Sequence, residues 1–183
     1  LMKEKEAAIF VFDMHNEYAV DSKNPDQEGG RVVGLKSKFG AQVEAYGLGK
    51  TAVINGTNVN SLVISKKDIM PVDILLLAKE LNLRDTTDAT LSALHRQEQE
   101  NWFSFFSGLE SSGKVKDENG DEYYPPNSIE GWAVSVNVHP EAAKALHNKL
   151  RRVFNKSYVS DDDKTAQNSL KTIIDSLENG RHV

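Results

Sequence analysis

Residues 8–13 read AIFVFD, five apolar side chains in succession closed by a carboxylate. A sheet with one wet face needs alternating polar residues, and this run has none. It therefore predicts a strand buried on both faces of a parallel sheet. In open α/β sheets, ligands gather beyond the carboxyl ends of the strands. Asp13 and the polar MHNEY after it thus stand where chemistry is expected. Outward from this run, residues 14–30 are loop-like. Short β-branched pieces follow at residues 31–35, 42–46, 51–54 and 61–65, separated by Gly, Asn and Lys, and they predict strands joined as hairpins.

From Pro71 the period becomes helical. Val72, Leu75, Leu76, Lys79 and Leu83 fall near helical spacing, with Pro71 suited to the first position and Asp73 to the first turn. A second helix is predicted over residues 87–109, with Leu91, Leu94, His95, Trp102, Phe103 and Phe106 on its apolar face. Residues 111–128, SSGKVKDENGDEYYPPNS, predict a surface excursion in which Asn119-Gly120 makes a two-residue hairpin turn and Pro125-Pro126 stops any regular element. PEAAKALHNKLRRVFN, residues 140–155, reads as a third helix. A fourth is expected over residues 165–177, preceded by Asp161, Asp162 and Asp163, whose charge suits a helix start, and closed by Asn179-Gly180. The fold class is thus α+β: a small β-sheet with hairpins in the N-terminal third, then a bundle of about four helices. The division falls into a β-rich part, residues 1–68, and a helical part, residues 69–183.

The 183 residues, 39% hydrophobic and 27% charged, suffice for one substantial core. A net charge of −5 gives no global attraction to phosphate backbones or anionic lipid, so nucleic-acid contact would need a local basic patch or other subunits. The chain has no cysteine, which excludes disulfides, thiolate metal sites and cysteine nucleophiles. No apolar run approaches the roughly 20 residues that span a bilayer. LMKEKEAAIF lacks the layout of a signal peptide, so no membrane is expected and the cytoplasm is the expected compartment. Leu1-Met2 is an unusual start, and Gly180 to Val183 stop where a strand is due, so the chain is expected to be the middle of a longer protein.

GLGKT, residues 47–51, carries the last three letters of a phosphate-binding loop. That loop needs a glycine five residues before the second one, and Glu44 stands there instead. It also needs a helix after the lysine, whereas AVINGTNVN is β-branched and broken by Gly56. GLGKT therefore reads as the tight connection of a hairpin. Asp13, His15 and Glu17 are the candidate catalytic residues: near a nucleotide they would orient the attacking water, hold a magnesium-bound water or sense the γ-phosphate. The plainer alternative has Asp13 capping the next turn, His15 making a hydrogen bond and Glu17 solvated. His139 and His147 lack a third ligand for zinc, and DENGDE has Glu122 where a calcium loop demands glycine, so no metal site is predicted. Lys144, Lys149, Arg151 and Arg152, with Lys156, form the notable basic cluster, a candidate DNA contact or simply a solvated helix face. Trp102, Phe103, Phe105 and Phe106 predict buried core or a subunit contact before base stacking.

FVFDMHNEY, residues 10–18, resembles the strand-and-loop signature, approximately D-P-H-G-E-Y, of the HerA-type DNA-translocating ATPases of the HerA/FtsK superfamily. Met14 replaces the family's proline and Asn16 its glycine; Asn tolerates the left-handed backbone that a turn needs. SLVISKKDIMPVDILLLAKELNL, residues 61–83, is similar to the family's short strand leading into a helix near a proline. SLKTIIDSLENGRHV, residues 169–183, is similar to the helix and Gly-Arg turn before the Walker B strand. Residues 84–138 carry no such similarity. The resemblance implies an insert of a RecA-like α/β ATPase lying between Walker A and Walker B, and inactive alone. It implies ATP and Mg2+ as cofactors of the parent protein, a ring homo-oligomer such as a hexamer, DNA as partner, and a possible nuclease subunit. Two rivals are a non-enzymatic interaction domain with no nucleotide role and a metal-dependent hydrolase built on Asp13, His15 and Glu17.

Overall fold

A computed structural model describes residues 7–24, 26, 29–49 and 53–183. In chain order the elements of the first part are β1 (Ser22–Lys23), β2 (Arg31–Val32), α1 (Leu35–Phe39), β3 (Tyr46–Leu48), β4 (Val53–Ile54), β5 (Thr57–Asn58), β6 (Asn60–Leu62) and β7 (Ile64–Ser65). They are followed by α2 (Pro71–Leu76), α3 (Thr87–Glu98), α4 (Trp102–Gly108), β8 (Val115–Lys116), β9 (Glu122–Tyr123), α5 (Ile129–Ser135), α6 (Pro140–Phe154), β10 (Val159–Ser160) and α7 (Asp163–Glu178). The architecture is mixed α+β, with small sheets in the N-terminal part and helices after it. The chain divides into two compact units, Leu1–Val63 with Lys164–Val183, and Ile64–Asp163.

The first unit is organised by a parallel ladder of short segments. Val11 N–H donates to the Val183 carbonyl at 2.7 Å and Val183 N–H to the Ile9 carbonyl at 2.9 Å. On the other side of the C-terminal segment, His182 N–H donates to Gln42 at 2.8 Å and Glu44 N–H to His182 at 2.7 Å. β3 then pairs in parallel with β6, Tyr46 opposite Asn60. The segments thus lie in the order 9–11, 181–183, 42–48 and 60–62, with their carboxyl ends on one edge. Val43, Ala45, Val63, Ala166 and Ile173 are buried in this unit. α7 is tied to it by Ser169 Oγ, which donates to the Ser61 carbonyl at 3.2 Å.

Two expectations change here. The AIFVFD run is extended, but it is the outermost segment of the ladder among the described residues and has a bonded neighbour on one side only. Phe10 and Phe12 are also 47% and 82% exposed, so their face of the segment is not buried either. Nor do residues 47–49 turn into a hairpin. β3 continues the parallel ladder, and Gly49 N–H donates to the Leu62 carbonyl at 2.8 Å. Lys50 and Thr51 lie outside the described residues. The hairpin in this region joins β4 and β5, across Asn55 and Gly56 with φ of 48° and 79°, the positive values that a turn matching strand twist requires.

Asp21 holds the loop between β2 and α1. Only 2% exposed, it accepts from Gly34 N–H at 2.6 Å and Ser37 Oγ at 2.8 Å, and pairs with Arg31. A Cβ on Gly34 would meet the Val20 carbonyl carbon at 2.3 Å, so glycine alone fits this close approach.

The second unit contains the main apolar core, in which Leu91, Leu94, Trp102, Phe103, Phe106, Trp132, Leu146 and Leu150 interlock. The helix predicted over residues 87–109 is broken: Gln99 takes φ 49°, and a 3-10 turn over Gln99–Asn101 separates α3 from α4. The bend re-aims α4 so that Trp102, Phe103 and Phe106 are all fully buried, which a straight helix bearing aromatics around most of its girth would not allow. The β8–β9 hairpin forms as expected, yet its pairing of Lys116 with Glu122 leaves a five-residue loop instead of the two-residue turn. Asp117 Oδ1 organises that loop by accepting from Asn119 and Asp121 N–H, both at 2.9 Å. α5 had no periodic signal, being seven residues long, but Ser128 caps it by accepting from Gly131 N–H at 3.0 Å.

Two buried groups in this unit give stability a defined pH dependence. Glu130 is 2% exposed; burial opposes its ionisation, but Ser111 Oγ, Ser112 N–H at 2.9 Å and Lys144 at 3.6 Å prevail and hold its pKa below the ordinary glutamate value. Its stabilising effect is present above the unfolded pKa and lost as pH falls through the lower folded one. Burial, and then the charge of Arg151, depress the pKa of His147. The unfolded state therefore takes up a proton first, below about pH 6.5. The melting temperature is expected to fall between pH 7 and 5, and again below about pH 4. Thermal melts would check this, and His147→Phe should flatten the first step only.

Candidate functional site

The turn after the first extended segment is built around Asp13. Its Oδ1 accepts from Glu17 N–H at 3.0 Å, and its Oδ2 from Tyr18 and Ala19 N–H at 3.0 and 2.9 Å. Partial burial opposes ionisation of this carboxyl, but the amides of Ala19, Glu17, Tyr18 and His15 outweigh it and keep the pKa below the usual aspartate value. Asn16 sits at φ 55°, the left-handed position where the family signature has glycine. Asp13 is therefore the anchor of the turn. His15 and Glu17 are exposed and have no side-chain hydrogen bond or ion pair among the described residues. The turn lies at the carboxyl edge of the parallel ladder.

Behind it lies a slot of about 30 Å3, bordered by Val11, Asp13, Tyr18, Glu44 and His182. Glu44 is locked in place by Asn60 Nδ2 at 3.1 Å, Arg181 at 3.2 Å and Lys36 at 3.4 Å. His182, only 3% exposed, accepts from Ile9 N–H through Nδ1 at 3.2 Å. Sequence reasoning missed both as parts of the site. The Gly180-Arg181 turn was legible, but a single inward histidine in a three-residue strand end leaves no periodic trace. The same geometry bears on GLGKT, because neither the anchored Glu44 nor the ladder-bonded Gly49 amide can wrap a phosphate.

The four basic candidates do not form one patch. Lys144 lies 3.6 Å from Glu130, Lys149 Nζ donates to the Asn82 carbonyl, and Arg151 lines a cleft on another side of α6. Arg152 is exposed. Among the described residues, no three His, Asp or Glu side chains are placed to hold a metal ion, and no helix is long and apolar enough to cross a membrane.

A polar turn at the carboxyl edge of a parallel ladder is the arrangement that ligand-binding α/β proteins use. A family model described as the helicase HerA central domain matches residues 1–183, and the chain belongs to that family. No curated protein and no solved structure matched it.

Proposed function

We propose that this chain is part of a HerA-like ATPase that couples ATP hydrolysis to DNA translocation, and that residues 13–19 form its nucleotide-proximal turn. The observation that carries this reading is the family match over the whole 183 residues. The position of the turn at the ladder edge supports it. The described residues near GLGKT do not fit a phosphate cradle, which supports the reading that Walker A, and with it Walker B, lies in other segments of the parent and that the chain is inactive alone. ATP with Mg2+, bound by those segments, supplies the phosphoryl group and its charge neutralisation. Asp13 fixes the backbone of the turn. Glu17, exposed and unpaired among the described residues, accepts a hydrogen bond from the attacking water, and His15 donates to phosphate oxygens across a subunit boundary. The exposed Phe10 and Phe12 are covered by the rest of the ATPase core. The parent works in the cytoplasm as a hexameric ring, with Arg152 and Lys149 as DNA-backbone contacts.

The test is steady-state ATP hydrolysis by the complete gene product, with and without duplex DNA. Magnesium-dependent turnover stimulated at least about fivefold by DNA is expected, with kcat of order 1–100 per second. A product that neither binds nor hydrolyses ATP would instead be an interaction module.

A further inference from the structure

The second unit contains a cleft of about 490 Å3 that the ATPase reading does not use. Lys66 lines it, together with Asn148 and Arg151 of α6, Asn155 at the end of that helix, and the apolar Leu109 and Phe154. Glu110 is the one carboxylate among the lining residues. His147 also lines the cleft. It is 9% exposed, and its Nε2 is buried with no hydrogen-bond partner. Its ring is held edge-on to Phe106 at a centroid distance of 5.2 Å and tilted against Phe154 at 5.4 Å. A buried imidazole nitrogen without a partner is costly, and such groups mark places where a ligand completes the structure.

The remaining lining groups are mostly donors. Arg151 forms no salt bridge among the described residues, and its planar fork of N–H groups suits an oxyanion. Lys66 gives one N–H to Asp161 at 2.8 Å and has two left. Two Asn amides add neutral donors; the His147 ring is hydrogen-bonded to the backbone of Phe106 and Ser107, so its Nε2 donates in the imidazolium form, which a bound dianion favours. A group with several acceptor oxygens and two negative charges matches this set; a carboxylate would leave donors unused, and a neutral ligand would leave Arg151 without a counter-charge.

We propose that this cleft binds a phosphate monoester, held by Arg151 and Lys66 at its charged oxygens, with His147 Nε2 donating from the floor. The monoester is carried by a free nucleotide or by a phosphorylated nucleic-acid end, and the proposal stands independently of the motor reading.

Titration calorimetry on the chain with AMP, adenosine, and a short single-stranded oligonucleotide bearing either a 5′-phosphate or a 5′-hydroxyl tests it. AMP is expected to bind saturably at one site and adenosine not to bind. A phosphorylated strand that binds at least about tenfold tighter than AMP makes a nucleic-acid end the source, and a weaker one makes it the free nucleotide. Arg151→Gln should weaken AMP at least about tenfold, whereas Arg96→Gln, the same charge change on an exposed residue of α3 outside the cleft, should leave it unchanged. The His147 ring resonances should move during the AMP titration. Equal losses for the two arginine variants, binding of adenosine as tight as AMP, no saturable binding of either phosphorylated probe, or a motionless His147 signal would each overturn the proposal.

Discussion

Trp102→Ala should destabilise the second unit by about 3–5 kcal/mol, a large part of the ~5–15 kcal/mol that a domain of this size possesses. Trp102 is fully buried, its Nε1 donates to the Ile69 carbonyl at 2.8 Å, and its ring meets that of Phe103 edge-on at a centroid distance of 5.3 Å. Alanine would remove a large apolar surface, leave a cavity in the middle of the core and strand the Ile69 carbonyl without its donor. Trp102→Phe should lie between the two, because it keeps most of the bulk and loses the hydrogen bond. Phe12→Ala is the contrast. That side chain is 82% exposed, so the change in stability should stay within about 0.5 kcal/mol. Urea unfolding followed by near-ultraviolet circular dichroism would give all three values. A cost under about 1 kcal/mol for Trp102→Ala would mean that the aromatic core is assigned to the wrong residues.

Most of the helical part was legible because long amphipathic patterns repeat often enough to be read. Residues 140–155 and 165–177 were predicted helical and became α6 and α7, and Pro71 opens α2 as its sequence suggested. What escaped the sequence was tertiary in origin. Gln99 adopts a left-handed backbone that no propensity favours, because the burial of Trp102, Phe103 and Phe106 together outweighs its strain. The exposure of Phe10 and Phe12 was illegible for a similar reason: an apolar run states that it can be buried, whereas its cover depends on distant segments. In the site, the turn could be read from its acid, imidazole and acid, and the bonding of Asp13 matches the plainer of the two sequence readings, in which it caps the next turn. The three amides it accepts make it the anchor, which leaves His15 and Glu17 as the exposed side chains to which the proposal gives the chemistry. Likewise, spacing along the sequence grouped Lys144, Lys149, Arg151 and Arg152, while the positions of Glu130 and Asn82 draw the first two to different partners.

The central claim is that the turn works beside a nucleotide, and single-turnover ATP hydrolysis by the complete gene product carrying Glu17→Gln or His15→Ala tests it most directly. Neither side chain is tied to the fold, so both variants should fold and bind ATP within about twofold of the unaltered protein. Removing a group that orients the attacking water or meets a phosphate oxygen in the transition state should slow hydrolysis about a hundredfold. Hydrolysis by both variants at the unaltered rate, with ATP binding intact, would contradict the account.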